Sequence, residues 1–171
     1  MIYEPSDDSF LLRKYVLEYS KGKVLDMGCG SGILAEAALT KTKDVLATDI
    51  NKNAVNLCIK KGINAIESDL FQKVKGKYDL IIFNPPYLPE DKKEPKDSAL
   101  ITSGGKKGYE LLDKFLLESK KHLKKSGNIL FVCSSLTGDV EKIIKKHKYK
   151  FKKLETQKLF FEHLYVYKVF F

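Results

Sequence analysis

Asn84-Pro85-Pro86-Tyr87 directly follows an apolar run, Leu80-Ile81-Ile82-Phe83. Such a tetrapeptide can grip a planar NH2 group. The Asn84 side-chain oxygen can accept one N–H, and the Pro85 carbonyl can accept the other. Two prolines fix the backbone, so both acceptors are aimed before a substrate arrives. Pro86 adds no backbone donor that would compete. Tyr87 can stack on the flat group and exclude water. An amide or aniline-like nitrogen is a poor nucleophile because its lone pair is delocalised. It must be aligned with an electrophile that is already activated, and the positive charge growing on nitrogen must be favoured. No strong base is required, since the proton becomes acidic once nitrogen is alkylated. Taken alone, Pro-Pro could equally end a strand, with Asn84 capping the break.

Upstream lies a glycine-rich turn, Asp26-Met27-Gly28-Cys29-Gly30-Ser31-Gly32. Glycine allows a sharp turn and close approach of a ligand to the backbone. The spacing is GxGxG, not the GxGxxG of dinucleotide enzymes. Asp49 ends the next apolar run and can accept two hydrogen bonds from ribose hydroxyls. Asp69 follows the third run, where it can accept from an adenine amino group. Asp26 is placed to hold a cationic amino-acid moiety by charge-assisted bonds. A dehydrogenase needs no such contact, whereas S-adenosylmethionine does. Asp49 could instead cap the helix near Asn51, and Asp69 could cap a turn. In this order, the turn, the acids and the tetrapeptide point to methyl transfer from S-adenosylmethionine to an amide or exocyclic amine nitrogen.

These residues need a sheet whose strand ends converge. Short apolar runs alternate with amphipathic stretches, which predicts an α/β fold of mostly parallel strands. Strands are expected over Lys23–Met27, Val45–Ile50, Ala65–Ser68, Tyr78–Phe83 and Asn128–Cys133. Helices are expected over Ser6–Tyr19, Ser31–Lys41, Asn51–Lys61, Tyr109–Lys124 and Gly138–His147, with Ser6 as an N-cap and Gly62 as a C-cap. Leu88–Lys107, rich in charge, proline and glycine, reads as a loop of about 20 residues, a length that is often functional. The tail, with Phe151, Leu154 and Leu159 and then Leu164, Val166 and Val169, suggests an antiparallel hairpin hinged near Phe160–His163. The expectation is a doubly wound, seven-stranded Rossmann-like sheet, with the cofactor at the C-terminal ends of its first strands. Residues 1–171 are expected to form one domain.

Bulk properties narrow the setting. No run of about 18 apolar residues exists, and the first residues resemble neither a signal nor a transit peptide, so the cytoplasm is the expected address. Cys29, Cys58 and Cys133 are far apart in sequence, and His122, His147 and His163 do not cluster. Reduced structural thiols and no metal site are expected. Net charge is +9, which suits an acidic partner such as RNA. Yet Arg13 is the only arginine, and arginine is the usual reader of phosphates and base edges. A lysine-rich solvated surface is the favoured reading.

The chain resembles the HemK-like branch of class I methyltransferases, whose members methylate a glutamine side chain of class 1 translation release factors. Beyond the NPPY tetrapeptide, the opening Tyr3-Glu4-Pro5-Ser6-Asp7-Asp8-Ser9-Phe10-Leu11-Leu12 is similar to the opening segment of the archaeal and eukaryotic branch. Ala99–Leu112, with Gly104, Gly105 and Gly108, resembles that family's substrate-side loop. The resemblance implies cofactor contacts from Ser9, Asp26, Gly28, Gly30, Asp49, Asp69, Leu70 and Asn84. It implies that Asn84, Pro85 and Tyr87 hold the target amide. Bacterial members carry an N-terminal helical docking domain, which is not expected in this chain. Short archaeal and eukaryotic members are often activated by a small zinc-binding partner, which implies a heterodimer, here through the third-strand edge near Asn64–Ser68. The rival acceptor is a nucleobase amine, adenine N6 or guanine N2, in RNA or DNA. Such enzymes usually carry a recognition module and flip their base, so nucleic acid is the second choice. A non-enzymatic cofactor-binding module would be expected to lose Asn84.

Overall fold

The computed structural model describes residues 2–91 and 93–171, apart from the side chains of residues 96, 97 and 100; Lys92, inside the expected 88–107 loop, lies outside the described residues. The chain runs α1 (Asp7–Tyr19), β1 (Val24–Met27), α2 (Ile33–Leu39), β2 (Val45–Asp49), α3 (Lys52–Lys60), β3 (Ala65–Glu67), β4 (Tyr78–Phe83), α4 (Lys96–Thr102), α5 (Glu110–Ser119), β5 (Leu123–Ser134), α6 (Val140–Lys146), β6 (Lys150–Lys158) and β7 (His163–Phe170). The seven strands form one sheet in the order β3-β2-β1-β4-β5-β7-β6. The first five in that order pair in parallel, and β7 runs antiparallel to both β5 and β6. The α/β, mostly parallel sheet with a C-terminal hairpin is as expected.

The strand sequences explain the layering. Successive side chains of a strand point to opposite faces. Leu80 and Ile82 therefore join the cluster under α1, α2 and α3, with Leu12, Ala38 and Cys58. Ile81 and Phe83 join the cluster under α5 and α6, with Phe115, Leu116 and Ile144. A strand covered on both faces is apolar along its covered length, which is why β4 runs unbroken from Leu80 to Phe83 once past Asp79 near its start. Each such side chain withdrawn from water contributes about 1.5–3 kcal/mol.

The topology creates a crevice at one place. The chain winds outward from β1 to β3, then returns to lay β4 on the other side of β1. Ligands of doubly wound sheets bind at such a reversal, beyond the strands' C-terminal ends. The register pairs Met27 with Phe83, so the glycine turn and the NPPY tetrapeptide leave the sheet side by side.

Three expectations need correction. The 88–107 loop is not free of structure: it holds α4 and a parallel bridge between Leu88 and Ser103. Helix α5 stops at Ser119, not Lys124. Strand β5 starts at Leu123, not Asn128, and its first residues pair with Tyr78 before an irregularity. Leu123 lies seven residues after Leu116, so its place in a helical stripe and its place on a strand face look the same in sequence. Remaining boundaries shift by one or two residues. Gly62 ends α3 as expected, at φ +79°, with Ile63 N donating to Cys58 O (3.0 Å) and Gly62 N to Ile59 O (2.9 Å). Ser6 occupies the N-cap of α1 without a side-chain cap bond.

Candidate active site

The turn after β1 holds its shape through glycine and Asp49. Gly28 and Gly30 sit at φ +66° and +50°, a region that side chains with a Cβ rarely adopt. Gly30 N donates to Asp49 Oδ2 (2.9 Å), and Asn51 N to Asp49 Oδ1 (2.8 Å). Each carboxylate oxygen keeps a lone pair for another donor. The capping role considered for Asp49 belongs to Asn51, whose side chain accepts from Asn53 N (3.0 Å). Asp69 is partly exposed, 3.6 Å from Lys114 Nζ, and accepts from Gln72 Nε2 (3.0 Å). Leu70 beside it has φ +45°, an outlier for a residue with a bulky side chain, and Ser68 Oγ donates to its carbonyl (2.8 Å).

Asn84 emerges from β4 against the first turn of α1. Its Nδ2 donates to Ser9 Oγ (3.3 Å). Its Oδ1 is shielded from water and has no hydrogen-bond partner. The polarity of this contact follows from Asp8. Asp8 is buried and, as a carboxylate, only accepts. It receives Ser9 N, Ser9 Oγ (3.0 Å), Tyr3 OH (2.9 Å) and Tyr87 OH (3.1 Å). Ser9 has one hydroxyl proton, which goes to Asp8. Its oxygen is then left to accept, so Asn84 must turn its NH2 toward Ser9. That leaves Oδ1 as the unpaired acceptor. Burial, then the charge of Asp8, pushes the Tyr87 and Tyr3 phenols upward, so both stay neutral donors.

Asp8 was not among the residues singled out by sequence. Acids in a first helical turn are common because they suit the helix dipole, and that ordinary role hid this one. The usable signal was an acid beside Ser9 in an opening segment already likened to that of the archaeal and eukaryotic branch.

The chain after Tyr87 folds back over the tetrapeptide. Leu88 N donates to Thr102 O, Gly104 N to Leu88 O and Glu90 N to Gly105 O, each at 2.9 Å. A Cβ on Gly104 would stand 2.2 Å from Gly108 O and 2.7 Å from Pro86 O. Only glycine permits this packing of backbone on backbone.

One cleft of about 980 Å³ is lined by Ser9, Gly28, Gly30, Asp49, Asp69, Leu70, Asn84, Pro85 and Tyr87, with Asp8, Gly104 and Lys114. Its size suits a nucleoside-sized ligand with room for a second group. Asp26 is the expected site residue that does not line it. By alternation along β1 it shares a face with Val24, and it is wholly buried with neither carboxylate oxygen hydrogen-bonded. Burial first, then the neighbouring Cys58, pushes its carboxyl well above the ordinary range. An unpaired buried carboxylate is costly and calls for a cation. Asn84 lines the cleft and its orphan oxygen asks for an N–H donor, whereas the orphan Asp26 oxygens lie beneath the glycine turn, outside the cleft lining. Cys29 and Cys58, remote in sequence, meet at 3.4 Å between sulfurs under the turn.

Residues 7–161 match the methyltransferase small domain family. A Methanocaldococcus jannaschii protein named as a protein N5-glutamine methyltransferase is 42% identical over 153 residues, which are 84% of this chain and 78% of that one. A release factor glutamine methyltransferase of Borreliella burgdorferi is 35% identical over 125 residues, 63% of this chain but 43% of its own length. The chain thus spans less than half of that bacterial relative. The structure of the E. cuniculi Mtq2–Trm112 complex, described as responsible for methylation of the eRF1 termination factor, aligns with a TM-score of 0.78 at 26% identity, over 98% of this chain and 97% of that one.

Proposed function

This chain belongs to the methyltransferase small domain family, and on that footing we propose that it methylates the side-chain amide of a glutamine in a class 1 translation release factor. Its methyl donor is S-adenosylmethionine. The observation that carries the acceptor assignment is the unpaired Asn84 Oδ1, turned free by the Asp8–Ser9 relay at the end of β4. The two relatives named as glutamine methyltransferases, and the neighbour described as responsible for methylation of eRF1, support the same reading.

S-adenosylmethionine supplies a methyl group already activated by its sulfonium. In this reading Gly28 and Gly30 give it close backbone approach, Asp49 accepts from ribose hydroxyls, and Asp69 and Leu70 border the base. Asp26 is the proposed partner of the ammonium group, a contact that requires the ligand to reach beneath the glycine turn. Asn84 Oδ1 and the Pro85 carbonyl accept the two N–H bonds of the target amide. Because both acceptors are fixed beforehand, they favour the charge that grows on nitrogen without a reorganisation cost. Tyr87, tethered to Asp8, covers the flat group. The strap from Leu88 to Gly108 keeps the tetrapeptide backbone in place. Residues 1–171 act as one methyltransferase domain in this account.

A partner subunit is part of the proposal. Among the described residues strand β3 pairs only with β2, so its other side is an open edge. Ile59, on α3 between β2 and β3, is 53% exposed. Open edges are normally covered, and the E. cuniculi neighbour is a two-protein complex. A small zinc-binding activator on this edge is the occupant we propose. Among the described residues no helix is long and apolar enough to cross a membrane, and the cytoplasm, where release factors act, is the proposed location.

A nucleobase amine would satisfy the same two acceptors. Methyl transfer from labelled cofactor to purified release factor, tRNA, rRNA and DNA separates the two. Label on the protein is expected, and label confined to nucleic acid rejects the glutamine reading.

A further inference from the structure

The β6–β7 hairpin turns through Leu159-Phe160-Phe161-Glu162, and its two phenylalanines are 92% and 88% exposed. Their rings meet edge to face with centroids 4.6 Å apart. The turn does not need them. It is closed by Leu159 N donating to Glu162 O (2.8 Å), and tied to the β5–α6 loop by Ser135 N to His163 O (2.8 Å) and His163 N to Ser135 Oγ (3.1 Å). Leu136, next along that loop, is 49% exposed and adds to the apolar surface. The rest of this hairpin edge is lysine-rich, with Lys150, Lys152, Lys153 and Lys158 on β6. An apolar patch kept in water at the tip of such a surface marks an interaction site.

Its position says with what. Phe83 pairs with Phe131, and Ser134 with Leu164, so the tip rises from the same end of the sheet as Asn84. Two strand spacings separate them sideways, about 10 Å. The glycine turn, Asp49 and Asp69 lie the other way, over β1 to β3. The hairpin thus flanks the acceptor half of the cleft. Leu159 and Tyr87 pack against the same core cluster. Glu162 is near enough to Tyr87 for its charge to act on the phenol. Its Oε2 is shielded from water with no hydrogen-bond partner, an acceptor awaiting a donor.

We propose that the Phe160–Phe161 tip, with Leu136 and Glu162, is the docking surface for the folded acceptor protein. Apolar side chains flanking the target glutamine sit on the two rings, and an N–H or basic group of the same protein pairs with Glu162. This rests on the reading that the acceptor is a protein amide. A glutamine side chain is small and common, so the choice among glutamines has to come from its surroundings. Exposed aromatic anchors beside the cleft are the residue type that carries such binding energy.

The test compares the unaltered protein, the double variant Phe160→Ser/Phe161→Ser, and Phe171→Ser at the opposite end of β7 as a control. Each is assayed on a full-length class 1 release factor and on a short peptide carrying the same glutamine. The double variant should raise KM for the folded protein on the order of tenfold or more, while kcat, cofactor affinity and peptide turnover move less than about twofold. Phe171→Ser should behave as unaltered. An unchanged KM for the folded protein overturns the proposal, and so does an equal loss on the peptide. If the double variant abolishes self-association or binding to anionic vesicles while KM is kept, the tip serves a second copy or a lipid surface instead. If the unaltered protein methylates neither acceptor, the glutamine reading fails, and that result needs no variant to be seen.

Discussion

Replacing Asp8 by asparagine removes the group that sets the polarity of the site while changing almost no volume. Asp8 now serves four donors: Ser9 N, Ser9 Oγ, Tyr3 OH and Tyr87 OH. An amide there has one oxygen with two lone pairs, and it adds an NH2 to a site already full of donors. At most two of the four donors keep an acceptor, and the bonds that remain are neutral. Hydrogen bonds to a charged group are worth about 1.5–3 kcal/mol and neutral ones about 0.5–1.5. The variant should therefore lose about 1–3 kcal/mol of stability. The larger effect is on turnover. Ser9 is no longer bound to give its proton to residue 8, so Asn84 is free to turn over and present N–H to an incoming N–H. Loss of one preorganised group of this kind costs on the order of 10²–10³ in kcat. We expect Asp8→Asn to lower kcat by about 10²-fold, with cofactor affinity within about threefold. Initial rates with labelled cofactor and calorimetric cofactor titration measure the two. Because Asp8 works through Asn84, Asp8→Asn/Asn84→Ala should be little slower than Asn84→Ala alone. Near-normal kcat in Asp8→Asn, or losses that add in the double variant, refute the relay.

Asp26→Asn should stabilise the free protein and weaken the cofactor complex. Burial raises the Asp26 carboxyl above its ordinary 3.8, so ionising it costs stability as pH rises past that value. The amide removes that slope, and each kcal/mol regained should raise Tm by roughly 2–4 °C. In the unaltered protein, cofactor affinity should fall as pH drops through the raised value; unchanged affinity in Asp26→Asn contradicts the ammonium role. Gly104→Ala places a methyl 2.2 Å from Gly108 O and 2.7 Å from Pro86 O. It should cost about 1–3 kcal/mol in thermal unfolding, and lower kcat by displacing the tetrapeptide; full activity would show that the strap does not position Pro86. Burial opposes the charge on Asp113, but hydrogen bonds from Lys146 and His147 outweigh it and hold the carboxyl below 3.8. Its contribution is present above that value and lost as pH falls through the lowered one. Asp113→Ala should cost about 1–3 kcal/mol near neutrality and flatten the acid limb of a pH–Tm curve; an unchanged limb argues against the pair.

The strands and turns that carry the cleft were legible because their signals are local. β1, β2 and β4 are apolar runs ended by glycine, acid or proline, and three glycines before an amphipathic stretch have few other uses. What escaped detection depends on contacts between distant segments. Lys96–Thr102 is a short helix in a charged stretch, held by Leu88 and Gly104 and not by its own periodicity. Leu123 fits a helical stripe and a strand face equally, and only its pairing with Tyr78 decides between them. Asp8 reads as a first-turn acid until the fold brings Tyr87, 79 residues away, onto its carboxylate. Cys29 and Cys58 have no telling spacing, yet their sulfurs touch. Asp26 was legible as an acid at the turn, but not that its carboxylate would be sealed beneath it.

Mass-spectrometric mapping of a class 1 release factor after incubation with this protein and S-adenosylmethionine is the most direct test of the whole account. One added methyl on the side-chain nitrogen of a single glutamine, absent when Asn84→Ala is used, is the predicted result. Methyl groups on lysine, or on RNA or DNA with the release factor left unmodified, would contradict it.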